Sequence, residues 1–133
     1  MINTNETVAA KALEVARFNM IEQQIRTWEV LDPQVLALLD DVPREHFVSH
    51  HQVGLAFADI ELPIGHGQTM LSPKLEGRIL QALSIKPTDK VLVVGTGSGY
   101  LTALLAKQAQ HVYAVEINAD LSEIAKKRSL PET

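Results

Sequence analysis

The sequence predicts an α/β fold in which a short parallel sheet follows a helical extension. Three observations carry this. Val91-Leu92-Val93-Val94 is a β-branched run bounded by turn residues, as expected of a strand buried on both faces. A glycine-rich turn, Gly95 to Gly99, then leads into a helical stretch through Gln108 that carries Leu101, Leu104 and Leu105. Val112 to Val115 forms a second strand, ending at Glu116. Strand, helix and strand in that order make a crossover between parallel neighbours.

The elements before the sheet follow in chain order. Residues 6 to 29 read as one helix, because Phe18, Ile21, Ile25 and Trp28 recur three or four residues apart, and Phe18 and Trp28 are expected in the core. Asp32-Pro33 starts a second helix, with Asp as the cap and Pro in the first turn. Val35, Leu36, Leu38 and Leu39 give it an apolar side, and Pro43 ends it. Helical periodicity is lost from residue 44 to 71. The run Ile60 to Thr69 holds one proline and two glycines and reads as loop or short edge strand. Ser72-Pro73 begins a third helix, with Leu75, Ile79, Ala82 and Leu83 expected to face inward. Asn118 or Asp120 caps a last helix running through Lys127.

Composition bounds the chemistry. The chain has 133 residues, 46% of them hydrophobic and 21% charged, with a net charge of −4. Such a chain can bury one real core, and its charge gives no basic surface for nucleic acid. With no cysteine there is no disulfide, thiolate nucleophile or sulfur-ligated metal. His46, His50 and His51 lack carboxylates at matching spacing, so no metal is expected. No leader is seen in Met1 to Glu6 and no membrane span anywhere, which makes a cytoplasmic location the default expectation.

The glycine turn and the acid are the candidate cofactor site. Gly97 lets the backbone approach a ligand with no Cβ in the way, and the helix opening at Gly99 presents free N–H groups. A dinucleotide fingerprint needs a glycine or alanine where this chain has Tyr100, and no Gly-Lys-Ser/Thr phosphate loop is present. What remains is the glycine pattern of S-adenosyl-L-methionine sites. There the turn Gly95, Thr96, Gly97, Ser98 and Gly99 holds the methionine end. Glu116, 21 residues after Gly95 and followed by Ile117, accepts the ribose hydroxyls. The plainer alternative is a turn used only for tight packing and a surface glutamate.

Three segments resemble the protein-L-isoaspartate O-methyltransferase family. The first runs from Met20-Ile21-Glu22-Gln23-Gln24-Ile25-Arg26 through Asp32-Pro33-Gln34-Val35-Leu36 to Val42-Pro43-Arg44-Glu45-His46-Phe47-Val48. The second is Leu62-Pro63-Ile64-Gly65-His66-Gly67-Gln68-Thr69, the most family-specific. The third is Val94-Gly95-Thr96-Gly97-Ser98-Gly99-Tyr100. Together they span about residues 17 to 128. The resemblance implies a Rossmann-like methyltransferase fold, here truncated after its second strand, with an N-terminal helical extension. It implies methyl transfer from S-adenosyl-L-methionine to the free carboxylate of isoaspartyl residues in damaged peptides or proteins. On that reading Gln68, Thr69, Ser72 and His66 face the substrate. Asp59 serves either as a substrate contact or as a turn cap.

The chain departs from the family pattern in places. Leu71 stands where the family has its active-site serine, and Ser72 follows one residue later. Ser72 is equally explained as the cap of the helix that Pro73 begins. Val93 replaces an acid near the end of the first strand. Two strands are marginal for a doubly wound sheet, so a partner copy completing the sheet is one expectation. Residues 1–88 are read as the helical and substrate-loop region, and 89–133 as the partial cofactor-binding region. The alternatives are a divergent S-adenosylmethionine-binding protein with another substrate, and a non-catalytic oligomerisation module.

Overall fold

The computed structural model describes residues 4–129. Met1–Asn3 and Leu130–Thr133, on which the expectations about the two chain ends partly rest, lie outside the described residues.

The chain opens with α1 (Thr4–Met20), a wide π turn (Ile21–Ile25) and a 3₁₀ turn (Arg26–Trp28) in place of one continuous helix. The change of pitch has a packing cause. α1 turns Leu13, Ala16 and Met20 toward the core, and the wider turn brings Ile21 and Ile25 onto that side as well. Phe18 and Trp28, expected in the core, are instead 62% and 49% exposed. The indole of Trp28 lies under the Lys74 ammonium, 4.1 Å from the ring centre. Helix α2 (Pro33–Asp41) starts as expected: the Asp32 carboxylate accepts the Gln34 N–H at 2.9 Å, and Pro33 occupies the first turn.

Residues 44–71 fold into two 3₁₀ turns (Arg44–Phe47 and His50–Leu55) and an antiparallel hairpin of β1 (Leu62–Gly65) and β2 (Gln68–Met70). Its two-residue loop is His66-Gly67, both at positive φ (56° and 71°), as a type I′ hairpin turn requires. Helix α3 (Pro73–Leu83) follows, rotated from the expected orientation. It buries Pro73, Glu76, Gly77 and Leu80, whereas Leu75 and Leu83 stay 41% and 50% exposed. The cause lies at Gly77 and Glu76. A Cβ on Gly77 would sit 3.4 Å from Ile25, so the helix lies flush against the π turn there. Glu76 on the same face meets a buried arginine.

The crossover forms as expected. Strands β3 (Lys90–Val94) and β4 (His111–Val115) pair in parallel from Lys90↔His111 to Val94↔Val115, joined by α4 (Tyr100–Gln108). Val91, Val93 and Val112 pack against the core, which also takes Tyr100, Leu104 and Leu105 of α4 together with Met20, Ile25, Leu39 and Leu80. The opposite sheet face was expected to be buried and is not: Leu92 is 63%, Val94 78%, Tyr113 53% and Val115 51% exposed. Among the described residues helices cover one side of these two strands. The last helix, α5 (Ala119–Ser129), is capped by the Asn118 side chain, which accepts the Leu121 N–H at 3.1 Å. No helix among the described residues is long and apolar enough to cross a membrane.

Candidate functional site

The glycine turn leaves β3 with its strand pairing intact, since the Gly95 N–H donates to the Val115 carbonyl at 2.7 Å. Gly97 (φ 53°) is then held by the acid: its N–H donates to Glu116 Oε1 at 3.2 Å, while the Asn118 N–H donates to Oε2 at 3.1 Å. The two backbone donors, Asn118 first and Gly97 next, hold the Glu116 carboxyl below its usual range. Each oxygen accepts one of these bonds, and a carboxylate oxygen can take more than one donor. Ile117 beside it is fully exposed. Ser98 is buried, and its hydroxyl accepts the Tyr100 N–H at 3.3 Å. The Thr96 hydroxyl is buried without a hydrogen-bond partner among the described residues.

The hairpin leans on this turn. A Cβ on Gly97 would lie 3.6 Å from Ile64 Cδ1, and His66 Nε2 at the hairpin tip is 3.5 Å from Asp120 of α5. Gln68 and Thr69 are exposed on β2, where the Thr69 hydroxyl approaches Glu61 at 3.5 Å. Ser72 occupies the N-cap position of α3, but its side chain makes no cap bond there, contrary to the capping expectation. Its hydroxyl is therefore not committed to α3. Asp59 pairs with Lys74 at 3.2 Å.

Sequence reasoning missed the charged centre beneath the site. Arg44 and Glu76 are 1% and 2% exposed and form an ion pair. The remaining Arg44 donors reach the Ala56 carbonyl (2.7 Å) and the Leu71 carbonyl (2.8 Å). The Arg44 guanidinium also lies 4.8 Å from the centre of the Tyr100 ring. One side chain thus ties the loop before α3 to the first residue of the helix after the glycine turn. Burial pushes the Glu76 carboxyl up to about 7, against the opposing pull of Arg44. The spacing Pro73, Glu76, Gly77, Leu80 was the available signal: an i, i+3, i+4, i+7 face that includes an acid implies a buried cation opposite.

Whether a nucleoside cofactor fits depends on which end of the turn is considered. At the acid end Glu116 is partly exposed and the glycine backbone is free of Cβ atoms. At the helix end α5 crosses the turn. A Cβ on Gly99 would sit 3.2 Å from Ala125 Cα, and Arg128 Nη1 donates to the Ser98 and Phe47 carbonyls at 2.9 and 2.8 Å. The space between Gly97, Ser98 and α5 amounts to about 40 Å³. The donor set fits such a ligand at the acid end, and α5 packs beside the helix end at Gly99.

A parallel strand, glycine turn, helix, and second strand ending in an acid that bonds back to the turn define a Rossmann-like methyltransferase fold. The model of the protein-L-isoaspartate(D-aspartate) O-methyltransferase family matches residues 16–130, and the chain belongs to that family. A protein-L-isoaspartate O-methyltransferase of Protochlamydia amoebophila is 47% identical over 109 residues, covering 82% of this chain and 52% of that protein. One from Aeropyrum pernix is 46% identical over 114 residues, covering 84% of this chain and 44% of that protein. The chain thus spans about half the length of these curated relatives. The fold also matches a Plasmodium falciparum protein-L-isoaspartate O-methyltransferase solved in complex with S-adenosyl-L-homocysteine. The TM-score is 0.70 at 23% identity, over 87% of this chain and 54% of that one.

Proposed function

We propose that this chain carries the cofactor turn and the substrate hairpin of a protein-L-isoaspartate O-methyltransferase, a protein-repair activity. The observation that supports this most directly is the Glu116 carboxylate, fixed against the Gly97 N–H at the ends of two parallel strands. When bound, S-adenosyl-L-methionine would supply an electrophilic sulfonium methyl for the substrate carboxylate.

The chain's own residues have binding and positioning roles. Glu116 offers its remaining lone pairs to the ribose hydroxyls, with Ile117 as an apolar flank. Gly95, Thr96, Gly97, Ser98 and Gly99 shape the turn that receives the methionine end. His66, Gln68, Thr69 and the uncommitted Ser72 hydroxyl face the isoaspartyl substrate. No general base is needed, because a carboxylate with a pKa of about 4 is already ionised at neutral pH. The protein must instead align the two reactants and exclude water.

Residues 1–88 are the substrate-side region and 89–133 the cofactor region in this reading. The site is cytoplasmic, and a second copy of the chain covers the exposed sheet face. Incubation with labelled S-adenosylmethionine and a peptide containing isoaspartate, beside the same peptide with ordinary aspartate, tests the activity. Label in the isoaspartyl peptide alone is expected. A chain that binds the cofactor product but labels neither peptide contradicts it.

Leu71 favours a second reading, cofactor binding with a different methyl acceptor. It places an apolar side chain at the family's serine position, and Arg44 fixes its carbonyl. If Leu71→Ser raises isoaspartyl methylation, the missing hydroxyl is what limits that substrate. An unchanged rate contradicts the importance of this position.

A further inference from the structure

We propose that Arg44 is a positioning residue for the acceptor side of the reaction: its buried guanidinium clamps both legs of the β1–β2 hairpin and so aims His66, Gln68, Thr69 and Ser72 at the isoaspartyl substrate. The inference rests on the substrate-hairpin reading above.

The clamp starts from a fixed point. Arg44 opens a 3₁₀ turn whose next residues are tied to other elements. Glu45 pairs with Arg17 of α1 at 2.6 Å, and the Phe47 ring meets the Tyr100 ring of α4 edge-on at 5.5 Å. From there the guanidinium reaches in three directions. Nε donates to the carbonyl of Ala56, ahead of β1, at 2.7 Å. Nη2 donates to the carbonyl of Leu71, directly after β2, at 2.8 Å. Nη1 donates to Glu76, which supplies the counter-charge. The rigid fork of arginine can hold such separate acceptors at once, whereas a lysine ammonium is a single point charge.

The hairpin is an arm anchored chiefly at that base. Leu62 and Met70 face each other in the ladder and are both buried. Farther along β2, Gln68 and Thr69 are exposed. The bonds beyond the base lie at the surface: Gln52 Nε2 donates to the Pro63 carbonyl at 2.8 Å, and His66 nears Asp120 at the tip. Charge-assisted bonds in the interior are the stronger set. The held Leu71 carbonyl also fixes the planar peptide that leads into Ser72. Without Arg44 the arm samples other orientations. The apparent affinity for the acceptor then falls by the fraction of molecules that keep the competent one.

The test is calorimetric titration of an isoaspartyl peptide, with S-adenosyl-L-homocysteine present, into the natural chain, Arg44→Met with Glu76→Leu, Arg44→Lys and Glu76→Gln. A parallel titration measures S-adenosyl-L-homocysteine alone. The double variant removes the buried charges together with the clamp, so the molecule stays folded while the arm is released. Arg44→Lys keeps the charge and loses the fork. Both are expected to bind the peptide roughly tenfold more weakly, with unchanged affinity for S-adenosyl-L-homocysteine. Glu76→Gln keeps the arginine donors and is expected to bind the peptide as the natural chain does. A merely structural arginine predicts natural peptide affinity in the folded double variant, and that result overturns the proposal. So does an equal loss of S-adenosyl-L-homocysteine affinity, or the same peptide loss in Glu76→Gln. If the double variant does not fold, Arg44→Lys decides by the same outcomes. A natural chain that binds S-adenosyl-L-homocysteine but no isoaspartyl peptide removes the substrate reading, and this role of Arg44 with it.

Discussion

Arg44 and Glu76 show how strongly one side chain can constrain the site. Replacing Arg44 by Met leaves the Glu76 carboxyl buried without its partner and is expected to cost about 3–5 kcal/mol in chemical denaturation. Replacing both partners, Arg44→Met with Glu76→Leu, is expected to recover most of that loss, because no buried charge remains. A double variant as unstable as the single one contradicts the ion-pair account. The pair also has a pH signature. Glu76 is raised in the folded state to about 7 from 4.5. Its contribution to stability is therefore fully present below pH 4.5 and is lost as pH rises to about 7. Glu76→Gln is expected to flatten the stability profile between pH 5 and 8. An unaltered slope in that variant contradicts the assignment. Glu116 has the opposite sign: its carboxyl is lowered, so its contribution is present at neutral pH and fades in acid.

At the scale of elements, the hairpin turn is the clearest case of local geometry dictating residue choice. His66 holds φ 56°, a conformation that costs most side chains roughly 1–2 kcal/mol. Asn tolerates it better, so His66→Asn is expected to leave stability equal or slightly raised, while His66→Val is expected to lower it by about that amount. The same Asn variant separates shape from chemistry at the site. If His66 contacts the substrate carboxylate, affinity for an isoaspartyl peptide drops while stability holds; unchanged affinity removes His66 from the site. The elements themselves were largely legible in the sequence. The Asp32-Pro33 start, the β3–α4–β4 crossover and the Asn118 cap each follow from residues adjacent in the chain. The failures came where tertiary contacts decide. Phe18 and Trp28 have helical spacing with Ile21 and Ile25, yet a π turn intervenes and leaves both outside. The inward face of α3 was assigned to its leucines, whereas Gly77 against Ile25 and Glu76 against Arg44 set the rotation. Neither partner is close in sequence, so spacing alone could not reveal them.

At the scale of the whole molecule, the sheet presents an unusual surface for a folded domain. Leu92, Val94, Tyr113 and Val115 sit side by side in the β3–β4 register, all more than half exposed. A contiguous apolar face of this kind marks an interaction surface or an aggregation liability. A second copy covering it is expected to show as a concentration-dependent mass in analytical ultracentrifugation, abolished by Leu92→Lys with Val115→Lys. A monomer at all concentrations contradicts self-association. The candidate cofactor site was half legible in the sequence. The glycine turn and Glu116 were identified from their spacing, and the structure places them within hydrogen-bonding distance. The position of α5 was not legible, because a short helix with one capping residue carries no sign of which face of the molecule it will cross.

The account stands on Glu116 and the glycine turn being a cofactor half-site. Its most direct test is titration of S-adenosyl-L-homocysteine into the natural chain and into Glu116→Ala, followed by calorimetry. One-to-one binding that weakens roughly tenfold or more in the variant is the expected result, since two ribose hydroxyls lose their charged acceptor. Equal affinity in both chains, or binding in neither, contradicts it.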